Sequence, residues 1–155
     1  MVSEADYSSL MDRFRGRLVV PIFDATGKKV LGFGGRILSK NDNDIGSRKF
    51  KPPKYLNSPE SKIFKKKAIL FGQQIASEAM EASTATPSVG GTINKRSLVI
   101  VEGYMDAMAL WQAGIQTVTS CMGTGLTTEQ LVAATRIARL GNGKFFVVFV
   151  SSGTQ

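Results

Sequence analysis

Hydrophobic and polar positions change rhythm along the chain, and each change marks a different kind of element. Arg17-Leu-Val-Val-Pro-Ile-Phe23 is a short, β-branched apolar run and predicts a strand. Asp24-Ala-Thr-Gly-Lys-Lys29 has the chemistry of a turn, and Val30-Leu-Gly-Phe-Gly-Gly-Arg-Ile-Leu38 predicts the returning strand. Pro21 has no N–H to give to a ladder, which confines the first strand to an edge or a bulge. Gly32, Gly34 and Gly35 leave one side of the second strand bare, open to a ligand or another backbone, or equally to tight packing within the sheet.

Ser39 to Pro53 is polar, charged and interrupted by proline, so it reads as a loop that Lys54-Tyr-Leu-Asn-Ser-Pro-Glu60 continues as an irregular segment. Apolar Ile63, Ala68, Leu70, Phe71 and Ile75 predict a helix from about Ser61 or Phe64 to Met80. Glu81 to Thr92 has no apolar period and reads as a flexible linker. From Ser97 onward strand and helix alternate. Ser97-Leu-Val-Ile-Val101 suits a buried parallel strand, Tyr104 to Ala113 a helix, Gln116 to Cys121 a second strand, Thr127 to Leu140 a second helix and Lys144 to Val150 a third strand. Thr127-Thr-Glu-Gln130 fits a capping box at the second helix start. The expected fold class is α/β: a small basic mixed α/β part over 1–80, a linker over 81–96, and a Rossmann-like parallel-sheet domain over 97–155.

Length and composition narrow this picture. The 155 residues, 43% hydrophobic, match one ordinary domain able to bury a core. Fifteen of the twenty Lys and Arg residues lie between Arg13 and Lys67, while the chain from Ala68 on balances five basic against five acidic residues. Such asymmetry points to a polyanionic partner for the first half, the alternative being a solvated basic face. No apolar run is long enough to cross a bilayer, and Met1 to Tyr7 has no apolar signal core, so neither membrane nor secretion is expected. A single Cys121 and the lack of His remove both a disulfide framework and the usual zinc ligands. A bound metal must then rest on carboxylates, which favours Mg²⁺ or Mn²⁺.

Ligands of such sheets gather where strands end and helices begin. Glu102 stands there, Gly103 allows a tight exit, and Asp106 falls in the first helical turn. Both carboxylates can approach one metal ion. Equally, Asp106 can complement the helix dipole while Glu102 pairs with a basic side chain.

Val101-Glu-Gly-Tyr-Met-Asp106, with Ala113-Gly114 and the Gly123-Thr124 turn, resembles the opening of the Toprim domain in DnaG-type DNA primases. Upstream, Arg13-Phe-Arg-Gly-Arg-Leu18 with Pro21-Ile22, Gly32-Phe-Gly-Gly-Arg36, and Pro53-Lys-Tyr-Leu-Asn-Ser-Pro-Glu60 with Phe64 and Lys66 resemble the basic subdomain that precedes it. The Toprim signature is shared with topoisomerases, recombination proteins and nucleases; the Lys-Tyr-Leu-Asn-Ser-Pro segment discriminates in favour of primases. The resemblance implies synthesis of RNA primers on a single-stranded DNA template from ribonucleoside triphosphates, with a replicative helicase as partner through parts outside this sequence. It places Glu102 and Asp106 in the catalytic, metal-binding site. It also makes Arg13, Arg15, Arg17, Arg36, Lys54, Asn57 and Lys66 contacts to nucleotide or template. Tyr55 reads as core packing, base stacking being its other use.

One family feature is not matched. The third strand should run into an Asp-x-Asp pair, but Val150-Ser-Ser-Gly-Thr-Gln155 stands there, and neither Val150 nor Ser152 can replace an aspartate as a hard-metal ligand. The zinc-binding domain, the remaining core helices and the helicase-binding domain of the family are not in this sequence either. The expectation is a fragment cut ahead of those aspartates or a degenerate homologue, with little or no primer synthesis of its own and an exposed sheet edge that lowers its stability. The competing reading is a non-catalytic Toprim protein that binds single-stranded nucleic acid, and a strand-cleaving Toprim enzyme ranks third. The compartment is open: cytoplasm or nucleoid in a bacterium, plastid or mitochondrion in a eukaryote.

Overall fold

A computed structural model of the protein describes residues 12–38, 52–84, 97–123, 125–141 and 144–147. In chain order these form β1 (Arg17–Phe23), β2 (Val30–Ile37), β3 (Tyr55–Asn57), a 3₁₀ turn (Lys66–Ala68), α1 (Gln73–Thr84), β4 (Ser97–Val101), α2 (Tyr104–Gln112), β5 (Val118–Ser120), α3 (Thr128–Leu140) and β6 (Lys144–Val147). The chain divides into two compact units, Met1–Pro21 with Gly32–Ser58, and Ile22–Leu31 with Pro59–Gln155. Pro59 to Met80, which the sequence groups with the basic part, clusters in the unit that holds the parallel sheet.

The first sheet has the order β1-β2-β3, which puts Pro21 on an edge strand where its missing N–H does no harm. The β1–β2 turn is built on Asp24. Its carboxylate accepts the Thr26 hydroxyl at 2.9 Å and the backbone N–H groups of Lys28 and Lys29 at 3.1 and 3.3 Å. Partial desolvation works against its charge, but the bonds from Thr26, Lys29 and Lys28 outweigh it and hold the carboxyl below its usual range. Tyr55–Asn57, read from the sequence as irregular, is instead a strand antiparallel to β2, with Gly34 opposite Asn57 and Arg36 opposite Tyr55. Three residues are too few to display an alternating pattern. The bare side of β2 at Gly35 is filled by the protein itself: a Cβ there would lie 2.6 Å from the Phe14 ring, which also packs edge-on against Phe33.

The second sheet is parallel with the order β5-β4-β6, so the predicted βαβαβ alternation is present. Every residue of the central strand β4 is buried, as expected of a parallel strand covered on both faces. Leu98 and Ile100 join Leu70, Ala76, Met80, Cys121, Ala134, Ile137 and Ala138 in one core. Phe71 packs separately against Tyr104 and Trp111, with ring centroids 5.6 and 5.4 Å apart.

The helix expected from Ser61 or Phe64 begins later, at Gln73, and runs past Met80 to Thr84. Two local facts stop it from starting earlier. Phe71 exchanges both backbone hydrogen bonds with Ser120, at 2.9 and 3.1 Å, and so extends along β5. Gly72 then takes a left-handed φ of 77° beneath the Trp111 indole. Residues Glu81 to Thr84 of the expected linker are therefore helical, while 85–96 and the expected loop at 39–51 lie outside the described residues.

Candidate functional site

Glu102 leaves β4 with its side chain exposed and its backbone fixed. Its carbonyl oxygen accepts the Ser120 hydroxyl at 2.9 Å and the Gly123 N–H at 2.8 Å. Ser120 in turn accepts the Met122 N–H at 2.9 Å, which holds Met122 at a φ of 61°. Left-handed backbone is uncommon for a non-glycine residue and costs of order 1–3 kcal/mol. The loop after β5 is thus shaped around the root of Glu102.

Asp106 caps α2: its Oδ2 accepts the Gly103 N–H at 3.2 Å. The dipole-complementing role that the sequence left open is therefore filled. The cap uses Oδ2. The φ of Gly103, −104°, is open to other residues, but an added Cβ would lie 2.7 Å from Oδ2 and the carboxylate would have to shift. Glu102 and Asp106 are the carboxylates that the end of β4 and the first turn of α2 bring to this part of the sheet. Among the described residues no group of three acidic, Cys or His side chains gathers around a metal position. Val150 and Ser152, where the family pattern has aspartates, lie outside the described residues.

Lys66 belongs to the same unit, on the 3₁₀ turn. Burial lowers its pKa from the usual 10.5, while Cys121 and the Glu60 carboxylate pull the other way. Glu60 also accepts the Lys66 N–H at 3.0 Å, and the Lys66 carbonyl receives the Gln130 carboxamide at 3.1 Å. The turn is therefore tied down at both of its backbone groups.

The remaining candidates lie in the smaller unit, five of them around β3. Arg13 Nε reaches the Asn57 carbonyl and Arg17 Nη1 the Lys54 carbonyl, each at 3.4 Å. The Arg36 guanidinium and the Lys54 ammonium stand 6.0 and 5.9 Å from the centre of the Tyr55 ring. Tyr55 is 39% exposed and is not the core residue the sequence implied. The antiparallel register explains this, since it sets Tyr55 beside Arg36 on one strand pair. The Asn57 side-chain oxygen is shielded from solvent without a hydrogen-bond partner. Arg15 is exposed in the turn ahead of β1.

Sequence reasoning missed the parts played by Ser120, Met122 and Glu60, and for Gln130 it found only the helix cap. The Ser120–Glu102 and Gln130–Lys66 bonds join positions 18 and 64 residues apart, and the short bonds of Met122 and Glu60 depend on turns that no local pattern announces.

Residues 1–77 match the family described as the DNA primase catalytic core, N-terminal domain, and residues 99–145 match the Toprim-like family. The DNA primase of Clostridium acetobutylicum is 42% identical over 130 residues, which is 84% of this chain and 18% of that protein. That of Legionella pneumophila is 38% identical over 129 residues, 83% of this chain and 18% of its own. The chain thus spans less than a fifth of the length of these curated relatives. Among solved structures, the Aquifex aeolicus primase with zinc-binding and RNA polymerase domains superposes with a TM-score of 0.68 at 32% identity, covering 90% of this chain and 28% of that one. The RNA polymerase domain of Mycobacterium tuberculosis primase DnaG gives 0.65 at 32% identity, over 90% and 40%. A DnaG primase catalytic domain solved bound to single-stranded DNA gives 0.60 at 36% identity, over 89% and 35%. With a primase catalytic-core segment and a Toprim-like segment matched in order, and DNA primases 42% and 38% identical over most of this chain, the chain belongs to the DnaG-type DNA primase family.

Proposed function

We propose that this chain carries part of the RNA-polymerase site that makes primers on single-stranded DNA. The observation that carries the reading is the carboxylate pair at the end of β4. Glu102 is rooted by Ser120 and Gly123, and Asp106 is fixed by Gly103, so both stand at the sheet edge where such folds bind ligands. A divalent cation, Mg²⁺ or Mn²⁺, supplies charge neutralisation to the reacting phosphates when bound. In primer extension a 3′-hydroxyl gives up its proton to solvent and forms a new bond to the α-phosphorus of an incoming ribonucleoside triphosphate, and pyrophosphate leaves with the electron pair of the broken P–O bond. Lys66 contributes a partly desolvated ammonium for phosphate oxygens, stronger than one in open water.

Template contact falls to the cations around β3. Arg13, Arg17, Arg36 and Lys54, with exposed Arg15, offer positive charge for a phosphate backbone, and Tyr55 offers an aromatic ring with two cations close to it. The unsatisfied Asn57 oxygen suits a donor from nucleotide. Single-stranded DNA on the related catalytic domain supports this assignment.

A second reading, binding without chemistry, is favoured by Asp106 serving as a helix cap and by the lack of a third metal ligand among the described residues. Both readings expect salt-sensitive binding of a single-stranded oligonucleotide. They separate on Mn²⁺-dependent binding of a ribonucleoside triphosphate, which the polymerase reading requires and the binding module lacks. Primer formation by the chain alone is expected to be orders of magnitude below that of a site with its aspartates, because Val150 and Ser152 bring no carboxylate.

A further inference from the structure

Gln130 is fully buried at the third position of α3, and its side chain makes more bonds than a cap requires. The cap uses Oε1, which accepts the Thr127 N–H at 3.2 Å, and the Gln130 N–H, which Thr127 Oγ1 accepts at 3.1 Å. Nε2 is left over. It donates towards the carbonyls of Lys66 at 3.1 Å, Ile69 at 3.0 Å and Cys121 at 3.4 Å. Two hydrogens serve three acceptors, so at least one is shared.

These acceptors belong to two segments that chemistry needs together. Lys66 and Ile69 bracket the 3₁₀ turn that carries the lysine. Cys121 lies between Ser120, at the end of β5, and Gly123, the two residues that hold the Glu102 carbonyl. The Thr127 hydroxyl adds a bond to the Lys67 carbonyl. We infer that Gln130, assisted by Thr127, is a positioning residue that registers the Lys66 ammonium against the Glu102 edge through one buried carboxamide. Neither side chain needs to touch substrate. The inference rests on the reading of Lys66 as a triphosphate contact.

The test uses the full chain, inorganic triphosphate as probe and calorimetric titration, with the fluorescence of Trp111 to verify folding. Gln130→Met preserves length and removes both donor and acceptor. Gln130→Met and Lys66→Ala are each expected to weaken binding roughly tenfold, and the double variant to bind no worse than Lys66→Ala. Unchanged affinity in folded Gln130→Met, or additive losses, overturns the inference. If Lys66→Ala itself binds normally, the phosphate role of Lys66 fails and takes the inference with it. Should Gln130→Met not fold, Thr127→Val decides: it is expected to weaken binding while Thr127→Ser restores it, and equal affinities in the two variants contradict the proposal.

Discussion

The Ser120 hydroxyl donates to the Glu102 carbonyl at 2.9 Å while accepting the Met122 N–H at the same distance. One buried side chain therefore joins the exit of β4 to the turn after β5. Ser120→Ala leaves a buried N–H without its acceptor and weakens the hold on Glu102. The expected cost is about 1–3 kcal/mol, a Tm lower by roughly 5 °C, read by thermal unfolding followed at Trp111. A variant as stable as the parent would show that the loop is held by other bonds.

Gly72 and Gly114 separate steric from conformational cost. Both have left-handed φ, 77° and 85°, but a Cβ at Gly72 would lie 2.2 Å from the Trp111 ring, whereas nothing stands within 4 Å of one at Gly114. Gly114→Ala should lose about 1 kcal/mol from backbone strain alone. Gly72→Ala should lose about 3 kcal/mol or more, since the indole must also move. Urea unfolding of the two variants checks the order.

Gly103→Ala tests the cap of α2. Its backbone angle admits alanine, so the loss comes from displacing the Asp106 carboxylate. A stability change of about 1 kcal/mol is expected, together with a larger loss of divalent-cation binding measured by calorimetry. A variant that binds the cation like the parent would remove Asp106 from the site.

Lys66 makes stability depend on alkaline pH. Burial lowers its folded-state pKa below 10.5, so between that lowered value and 10.5 the unfolded chain binds more protons than the folded one. The contribution of this group to stability therefore rises with pH across that window and is flat below it. In urea unfolding at stepped pH, Lys66→Met should lack the alkaline rise that the parent shows.

Much of the fold was legible because its elements are long or strongly patterned. The β1–β2 pair, the βαβαβ order and the Thr127–Gln130 cap all follow local rules that the tertiary structure respects. The failures occurred where local pattern and tertiary contact part. Apolar residues from Ile63 to Phe71 looked like one helical face, yet Ile63 is 65% exposed and Phe71 pairs with β5, because the segment bends around Gly72. Tyr55 looked like core because its strand partner could not be read from three residues. At the site, Glu102 and Asp106 were visible as a motif, but Gln130 showed only its cap, since bonds to carbonyls some sixty residues upstream leave no local trace.

Manganese binding followed by electron paramagnetic resonance, in the parent and in Glu102→Gln, tests the central assignment most directly. The Glu102 side chain is exposed and its structural bonds are made by the backbone carbonyl, so the substitution should alter stability by less than about 0.5 kcal/mol. The account predicts saturable binding of Mn²⁺ by the parent, weakened about tenfold or more in the variant. Equal binding by both proteins would contradict the placement of the metal at the end of β4.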